Sequence, residues 1–345
     1  MTGFVPRRTL RGRISLLAGT ALLLAACQPL GTGGSVAGSA SPGASPGASV
    51  AGGAGTPQQL TIATGGTGGV YFPLGGALAL ELSENIEGVS ASAQETSASV
   101  DNMRLIGTGG ADIAFVLGDT AADAVEGRAD FEGSPIDACT LGNLYGNFTQ
   151  VVTSTDAGIK SIEDLRGKRV SVGAPASGTE VIALRILEAA GIDPDDDIER
   201  SQLLADETVQ ALGDGTIDAG FWSGGLPTGA LTEYANGGKM LLLPTAEYAT
   251  ALAGKYGPFY VQEEIPGGTY PNQGEAVPTI VVPNVLVVNT SMAEDLQRQI
   301  TEVLFKQKAD LVAAHPAAEA LDASTADQVE FMDVCPGAQA YYDAN

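Results

Sequence analysis

From residue 58 onward, short runs of β-branched and apolar residues alternate with segments whose apolar positions recur at helical spacing. LTIAT at 60–64 reads as a strand, and the stretch from about Pro73 to Ile86 as a helix. VSASAQE at 89–95 alternates with period two, the mark of a half-buried strand. Val100 to Thr108 predicts a helix and ADIAFVL at 111–117 a buried strand. QVVTS at 150–154, KRVSVGA at 168–174 and DAGFWS at 218–223 predict further strands, with a helix from about Thr179 to Ala190. The segment from Tyr248 to Pro278, rich in Gly, Pro and Tyr, reads as an irregular connection. Val285–Val288 predicts another strand, followed by helices near 291–314 and 324–332. Such alternation implies an α/β fold with largely parallel sheets.

The plan runs twice. Strand LTIAT leads through a Gly-rich turn into a helix, and KRVSVGA does the same through PASG. Each half later repeats a Gly-rich turn, an Ala-Asp or Asp-Ala pair and a hydrophobic strand: GTGGADIAFV at 107–116 and GDGTIDAGFW at 213–222. Two α/β lobes facing each other, each pointing helix N-termini into a cleft, satisfy this plan.

The first 57 residues have a different character. Arg7, Arg8, Arg11 and Arg13 precede an apolar run from Ile14 to Ala26, too short to span a bilayer comfortably and typical of a signal-peptide core. It ends in Leu24-Ala25-Ala26-Cys27, which resembles the lipobox of bacterial lipoproteins, where the Cys becomes the lipidated N-terminus. Arg7-Arg8 leaves twin-arginine export open beside the general route. In residues 28–57, 24 of 30 are Gly, Ser, Ala or Pro and none is charged. That composition cannot bury a core; it predicts a flexible tether with a reach of roughly 30 Å. The expectation is a signal peptide over 1–26, a lipidated Cys27 with its linker to residue 57, and an exported head held at the membrane's outer face or in the periplasm.

Charge and composition narrow the chemistry. The chain of 345 residues carries 41 acidic and 17 basic side chains, a net charge of −24. Without the first 26 residues, 13 basic against the same 41 acidic groups leave −28. Nucleic acid is an unsuitable partner for such a surface. One His, His315, and three Cys exclude most His/Cys zinc sites and Ser-His-Asp catalysis. Asp193, Asp195, Asp196 and Asp197 lack the spacing of an EF-hand loop. The head from residue 58 onward offers no GxSxG elbow, no cofactor is implied, and the reading is a monomeric binding protein rather than an enzyme. Cys139 and Cys335 form an even pair in an oxidising compartment. A bridge is the expectation, with two buried thiols as the alternative.

Four stretches could hold a ligand. In ATGGTGGVYFPLGG, residues 63–76, glycines between strand and helix let backbone N–H groups converge where the helix end is partly positive, which suits a carboxylate or phosphate. Thr64, Gly65, Thr67, Gly69 and Tyr71 are its candidates. No Gly-Lys-Ser/Thr follows, and Gly66-Thr67-Gly68-Gly69-Val70-Tyr71 lacks the last glycine of a dinucleotide loop. GAPASGTE at 173–180 is the second opening, offering Ala174, Ser177, Gly178 and Thr179. QETSAS at 94–99 offers Thr96 and Ser97, or merely a helix cap. FWSGGLPTGAL at 221–231 holds the only Trp, Trp222, which suits a pocket wall or a core. None of the seven arginines after Cys27 lies in the two Gly-rich openings, so an anion there must rest on backbone amides and hydroxyls.

These residues together carry a resemblance. LTIATGGTGGVYFPLGGALA, the ADIAFV strand with Asp119, IKSIEDLRGKRVSVGAPASGTE, FWSGGLPTGAL, IPGGTYP and VPNVLVVN look like the TAXI family, the substrate-binding proteins of TRAP transporters. The resemblance implies a two-lobed periplasmic-binding-protein fold of type II with the ligand cleft between the lobes. It implies lobe I over 58–150 and about 306–345, lobe II over 151–305, and hinges near Val151–Ser154 and within about 280–310. It further implies capture of a small organic acid, glutamate-like or a dicarboxylate, for a TRAP-type membrane permease. A sensor feeding a membrane histidine kinase, or an exported carboxylate-dependent enzyme, would use the same scaffold. One departure stands out: the family usually has Gln-Ser-Asp after the Ala-Phe-Val strand, and here Leu117-Gly118-Asp119 follows. Leu117 replaces a polar side chain expected near the ligand, which favours a less polar or longer acid than glutamate.

Overall fold

The computed structural model describes residues 58–345; the expected signal peptide, the expected lipidation at Cys27 and the linker to residue 57 lie outside the described residues. The chain opens with β1 (Gln58–Ala63), α1 (Tyr71–Asn85), β2 (Val89–Gln94), α2 (Ser99–Thr108), β3 (Ile113–Leu117) and α3 (Gly118–Glu126). The long strand β4 (Ala138–Ser154) leads to β5 (Arg169–Ser171), α4 (Gly178–Ala189), β6 (Glu199–Ser201), α5 (Ala205–Gly213) and β7 (Ala219–Gly224). Then come α6 (Gly229–Ala235), β8 (Met240–Leu243), α7 (Ala249–Tyr256), β9 (Val261–Ile265) and β10 (Val277–Asn289). Helices α8 (Glu294–Lys306), α9 (Lys308–Ala314) and α10 (Pro336–Tyr342) complete the chain. Among the described residues no helix is long and apolar enough to cross a membrane.

Strand order β2-β1-β3-β10-β4-β7-β5-β6 shows how two lobes are made from one chain. In the first lobe β2, β1 and β3 run parallel, and Asn284–Val288 of β10 pairs antiparallel with β3. In the second, β6, β5 and β7 run parallel, and Phe148–Thr153 of β4 pairs antiparallel with β7. Only β4 and β10 belong to both, lying side by side with Gly146 opposite Pro283 and Phe148 opposite Val281. The fold is α/β, two-lobed and of the type II periplasmic-binding-protein kind, with a cleft between the lobes.

Each lobe has its own core. In the first, Leu74, Leu78 and Leu82 recur every four residues along α1 and bury against Leu60, Ile62 and Phe115. Each such leucine contributes about 1.5–3 kcal/mol relative to an exposed one. In the second, Ile182, Ile186 and Leu187 of α4 pack on Val170, Val172 and Phe221.

Several expected boundaries move. The hinges lie at about Gly146–Phe148 and Val282–Asn284, so Val151–Ser154 sits inside the second lobe's sheet. The return to the first lobe comes near 283, ahead of 306, because β10 pairs with β3 and because Ile300, Val303 and Leu304 of α8 pack into the first core. Residues 324–332 form turns, and the helical stretch at 291–314 breaks at Gln307 between α8 and α9. The supposed irregular connection contains α7 and β9: ATALAGKY is a good helix former that the surrounding Gly and Pro obscured.

Cys139 and Cys335 are joined by a disulfide, with Cα atoms 5.0 Å apart and 196 residues between them in sequence. Both cysteines belong to the first lobe's core.

Candidate functional site

A cavity of about 490 Å³ lies between the lobes. It is narrow, with room for about two waters. Both Gly-rich openings reach it. Gly65 and Gly69 come from the turn before α1 and Tyr71 from its first position, Ala174 and Ser177 from the turn before α4, and Gly178 and Thr179 from its first two positions. Ser97, Leu117 and Trp222 complete the expected set that the structure brings together.

Three expected residues stay off the wall. The Thr64 side chain is fully buried and its hydroxyl donates to Gln94 O at 2.6 Å, fastening β1 to β2. Thr67 is exposed at the turn's outer side. The Thr96 hydroxyl donates to Asn102 Oδ1 at 2.6 Å and lines a neighbouring vestibule instead.

The cavity also recruits residues that local pattern did not mark. Asn147 is on the crossing strand β4, Leu204 precedes α5, and Ser223 follows Trp222 on β7; Ser99, expected at most as a helix cap, opens α2 and lines the wall too. Asn147 and Ser223 are mid-strand, where alternation shows only that a side chain faces one side of a sheet. Which lobe covers that side is a long-range fact.

Helix geometry organises the wall. The N-cap residues of α1 to α5 are Val70, Ala98, Leu117, Ser177 and Leu204, and all five line the cavity. Only Ser177 caps with its side chain, accepting from Glu180 N at 3.0 Å. The first amides of a helix have no partner within it, and Val, Ala and Leu cannot supply one. Some of these donors are taken, Asp101 N by Ala176 O and Thr120 N by Asp119 Oδ1; at α1, where Pro73 has no N–H, the amides of Tyr71 and Phe72 are left without a cap at the cavity's edge.

The lobes are shut on each other. Ala230 N donates to Gly68 O at 3.4 Å and Asp101 N to Ala176 O at 3.1 Å, each across the cleft. Gly69 lies flat on the Trp222 ring, where a Cβ would sit 3.0 Å from Cη2. Trp222 is held by its Nε1–H, which donates to Thr228 Oγ1 at 2.9 Å. His315 of the first lobe faces Pro227 O of the second at 3.1 Å through Nε2, while its Nδ1 accepts from Ala317 N. Burial lowers the His315 pKa, opposed by the Pro227 hydrogen bond.

A buried charge cluster flanks the hinge. Arg185 of α4 meets Asp119 of α3 at 3.3 Å and also pairs with Asp123. The Tyr260 hydroxyl accepts from Arg185 at 2.5 Å and donates to Asp119 at 2.7 Å. Burial holds the Asp119 carboxyl above its usual range, with Arg185 pulling the other way. Tyr71 donates to Asn284 Oδ1, and burial raises its pKa as well.

No Asp, Glu, Lys, Arg or His lines the cavity. The seven arginines of the head, Arg185 included, are engaged with carboxylates: Arg104, Arg128, Arg166, Arg169, Arg200 and Arg298 all pair on the surface. In the acidic loop Asp197 accepts from Asp193 N and Asp193 from Asp195 N, and Asp195 pairs with Arg200. Among the described residues no group of three His, Cys, Asp or Glu is placed to hold a metal ion.

Among solved structures, the chain is similar to the periplasmic aliphatic sulphonate binding protein SsuA from Escherichia coli, at 17% identity over 84% of this chain and 83% of that one, with a TM-score of 0.47. It is similar to a putative L-cystine ABC transporter from Listeria monocytogenes, at 16% identity over 76% and 94%, TM-score 0.47. A binding protein component of an ABC phosphonate transporter from Pseudomonas aeruginosa matches at 11% identity over 76% and 79%, TM-score 0.48. Likenesses this distant do not bear on ligand or partner. A family model matches residues 62–344, nearly the whole described head, and by that match the chain belongs to the NMT1-like family.

Proposed function

We propose that the protein is an exported solute receptor that closes its lobes on a small organic acid and delivers it to a membrane permease of the TRAP type. The observation that carries this reading is convergence: the Gly-rich openings of both lobes, and helix N-termini from both, meet on one enclosed cavity with no charged side chain. Uncapped amides and hydroxyls there favour an anion. Chemistry on the ligand would need a positioned acid or base. The wall offers Ser, Thr and Tyr hydroxyls without one, which supports binding rather than catalysis.

Space for about two waters means that a solute is taken up when the lobes part and is enclosed when they meet. The two crossings at Gly146–Phe148 and Val282–Asn284 are the places to bend. The TRAP assignment is supported by the ordered motif block over residues 58–345 and the lipid anchor by the Leu-Ala-Ala-Cys27 sequence. The receptor works as a monomer, with the lipid foot holding it to the membrane.

Mass spectrometry of what co-purifies with the protein, followed by calorimetry of the same compound, tests the reading. A small carboxylate binding one to one and recovered unchanged is expected. A ligand with no acidic group, or one recovered as product, would overturn it. Cys27→Ala should release the protein from membranes into the soluble exported fraction, and deletion of the permease should abolish uptake of the ligand.

A further inference from the structure

The chemistry of the wall specifies the acid more closely, resting on the reading of the cavity as the solute site. Five helices turn their N-termini towards it, but four bring an acidic residue in the first turn: Asp101 on α2, Asp119 on α3, Glu180 on α4, and Asp206 with Glu207 on α5. A first-turn carboxylate answers the partial positive charge of a helix end. Helix α1 begins Tyr71-Phe72-Pro73-Leu74, with no acid and no side-chain cap. Its N-terminus is where an external anion is favoured.

At another part of the wall stands Asn147, 1% exposed. Its Nδ2 donates to Ser223 Oγ at 3.2 Å, and its Oδ1 is buried without a partner. A buried acceptor left unmade is expensive, and native structures rarely keep one without a reason. Of the four such atoms among the described residues, on Asn143, Tyr145, Asn147 and Thr149, only that of Asn147 belongs to a residue of the cavity wall, so it calls for a neutral N–H or O–H from whatever fills the cavity. Between these points the wall is apolar, from Val70, Leu117, Leu204 and the Trp222 ring.

An ammonium group fits this space badly. It would shed its hydration with no lining carboxylate to replace it, a penalty that neutral hydrogen bonds do not recover. Glu95, Asp101 and Glu207 line the adjoining vestibule, which none of residues 65–71 lines, and Asp206 is exposed beside Gly68, off the cavity wall. Two of the vestibule acids are already engaged, Asp101 Oδ2 with Ser97 N and Glu207 Oε2 with Leu204 N. One carbon separates the two charges of a 2-amino acid, so with its carboxylate at α1 its ammonium stays against a wall that carries no carboxylate.

We propose that the site selects an aliphatic monocarboxylate bearing one hydroxyl and rejects the amino acid of the same skeleton. The carboxylate sits at the N-terminus of α1, the hydroxyl donates to Asn147 Oδ1, and the carbon chain lies against Leu117, Leu204 and Trp222.

Calorimetry on the purified protein, freed of bound solute by unfolding and refolding, tests this with matched acids of about four to eight carbons. Each set shares one skeleton and carries hydroxyl, oxo, amino or no substituent at carbon 2 or carbon 3. The hydroxy acid is expected to bind at least tenfold tighter than the oxo and unsubstituted acids, about 1.4 kcal/mol, and at least a hundredfold tighter than the amino acid. Asn147→Leu should erase the advantage of the hydroxyl and leave the unsubstituted acid's affinity in place. An amino acid binding as well as its hydroxy analogue overturns the proposal, as does an oxo or unsubstituted acid that equals it. Binding by no member of any set would overturn the carboxylate-receptor reading itself.

Discussion

Gly178 is the residue at which closure can be separated from folding. It opens α4 in the second lobe, and a Cβ there would lie 2.4 Å from Leu117 Cδ1 and 2.7 Å from Ser99 Oγ, both in the first lobe. Ordinary van der Waals contact begins at 3.4 Å, so Leu117 would have to yield by 1.0 Å. Gly178 has no positive φ, and Ala suits a helix at least as well as Gly. Gly178→Ala therefore burdens only the shut form. Overpacking of this kind costs about 1–3 kcal/mol, which at about 1.4 kcal/mol per tenfold weakens ligand binding by about 5- to 140-fold. Calorimetry should show that loss, while thermal unfolding of the ligand-free variant stays within a few degrees of the parent. Affinity unchanged within twofold would refute the reasoning. So would a collapse of thermal stability, since the contact would then belong to a fixed core.

Three further perturbations address what holds the head together. The double variant Cys139→Ala/Cys335→Ala opens a loop of 196 residues and should lose up to about 5 kcal/mol in urea unfolding, with ligand affinity kept within about twofold because both cysteines lie in one lobe; an unchanged urea midpoint would contradict this. Arg185→Met leaves Asp119 buried without its cation and Asp123 with Arg128 alone, and should destabilise by about 3–5 kcal/mol at neutral pH. Asp119 already titrates above its usual range, so the native state holds its proton more tightly than the unfolded chain, and stability falls as pH rises through that window. The deficit of Arg185→Met should thus shrink as pH drops toward about 4, where carboxylates ordinarily protonate; a constant or growing deficit would count against the pairing. His315 has the opposite sign: its lowered native pKa means that the unfolded chain binds the proton first, so stability is lost as pH falls through about 6.5. His315→Gln should flatten that slope in unfolding curves taken across the window, and an unaltered slope would place the titration elsewhere.

The strands and helices that build the lobes were legible because each carries its own period. Leu74, Leu78 and Leu82 mark α1 without help from the rest of the chain. The two Gly-rich openings were legible because glycine between strand and helix has few other uses. Strand β4 was seen only over its last five residues, because Gly142, Asn143, Gly146 and Asn147 interrupt the apolar pattern just where the strand leaves one lobe for the other. Asn147 was missed for the same reason: its environment comes from Ser223, 76 residues on. The hydroxyls of Thr64 and Thr96 looked like ligand donors, but a neighbouring strand and helix had nearer claims on them. Which of two competing partners takes a short polar side chain is decided by packing, and no spacing in the sequence records it.

The pairing of Gly146 with Pro283 has an engineering meaning. Partners across an antiparallel ladder stand about 4.5–5.5 Å apart, the separation that a two-residue hairpin turn spans. Everything from 147 to 282 is thus an insertion at a single point of the first lobe, whose own sheet is contiguous without it. A short Asn-Gly turn replacing that stretch would leave the β2-β1-β3-β10-β4 order, the disulfide and both ends of the described residues, 58 and 345, in one body. The second lobe is in this sense a cassette: a half-site that can be lifted out and exchanged for another, with the ligand's other half-site left standing.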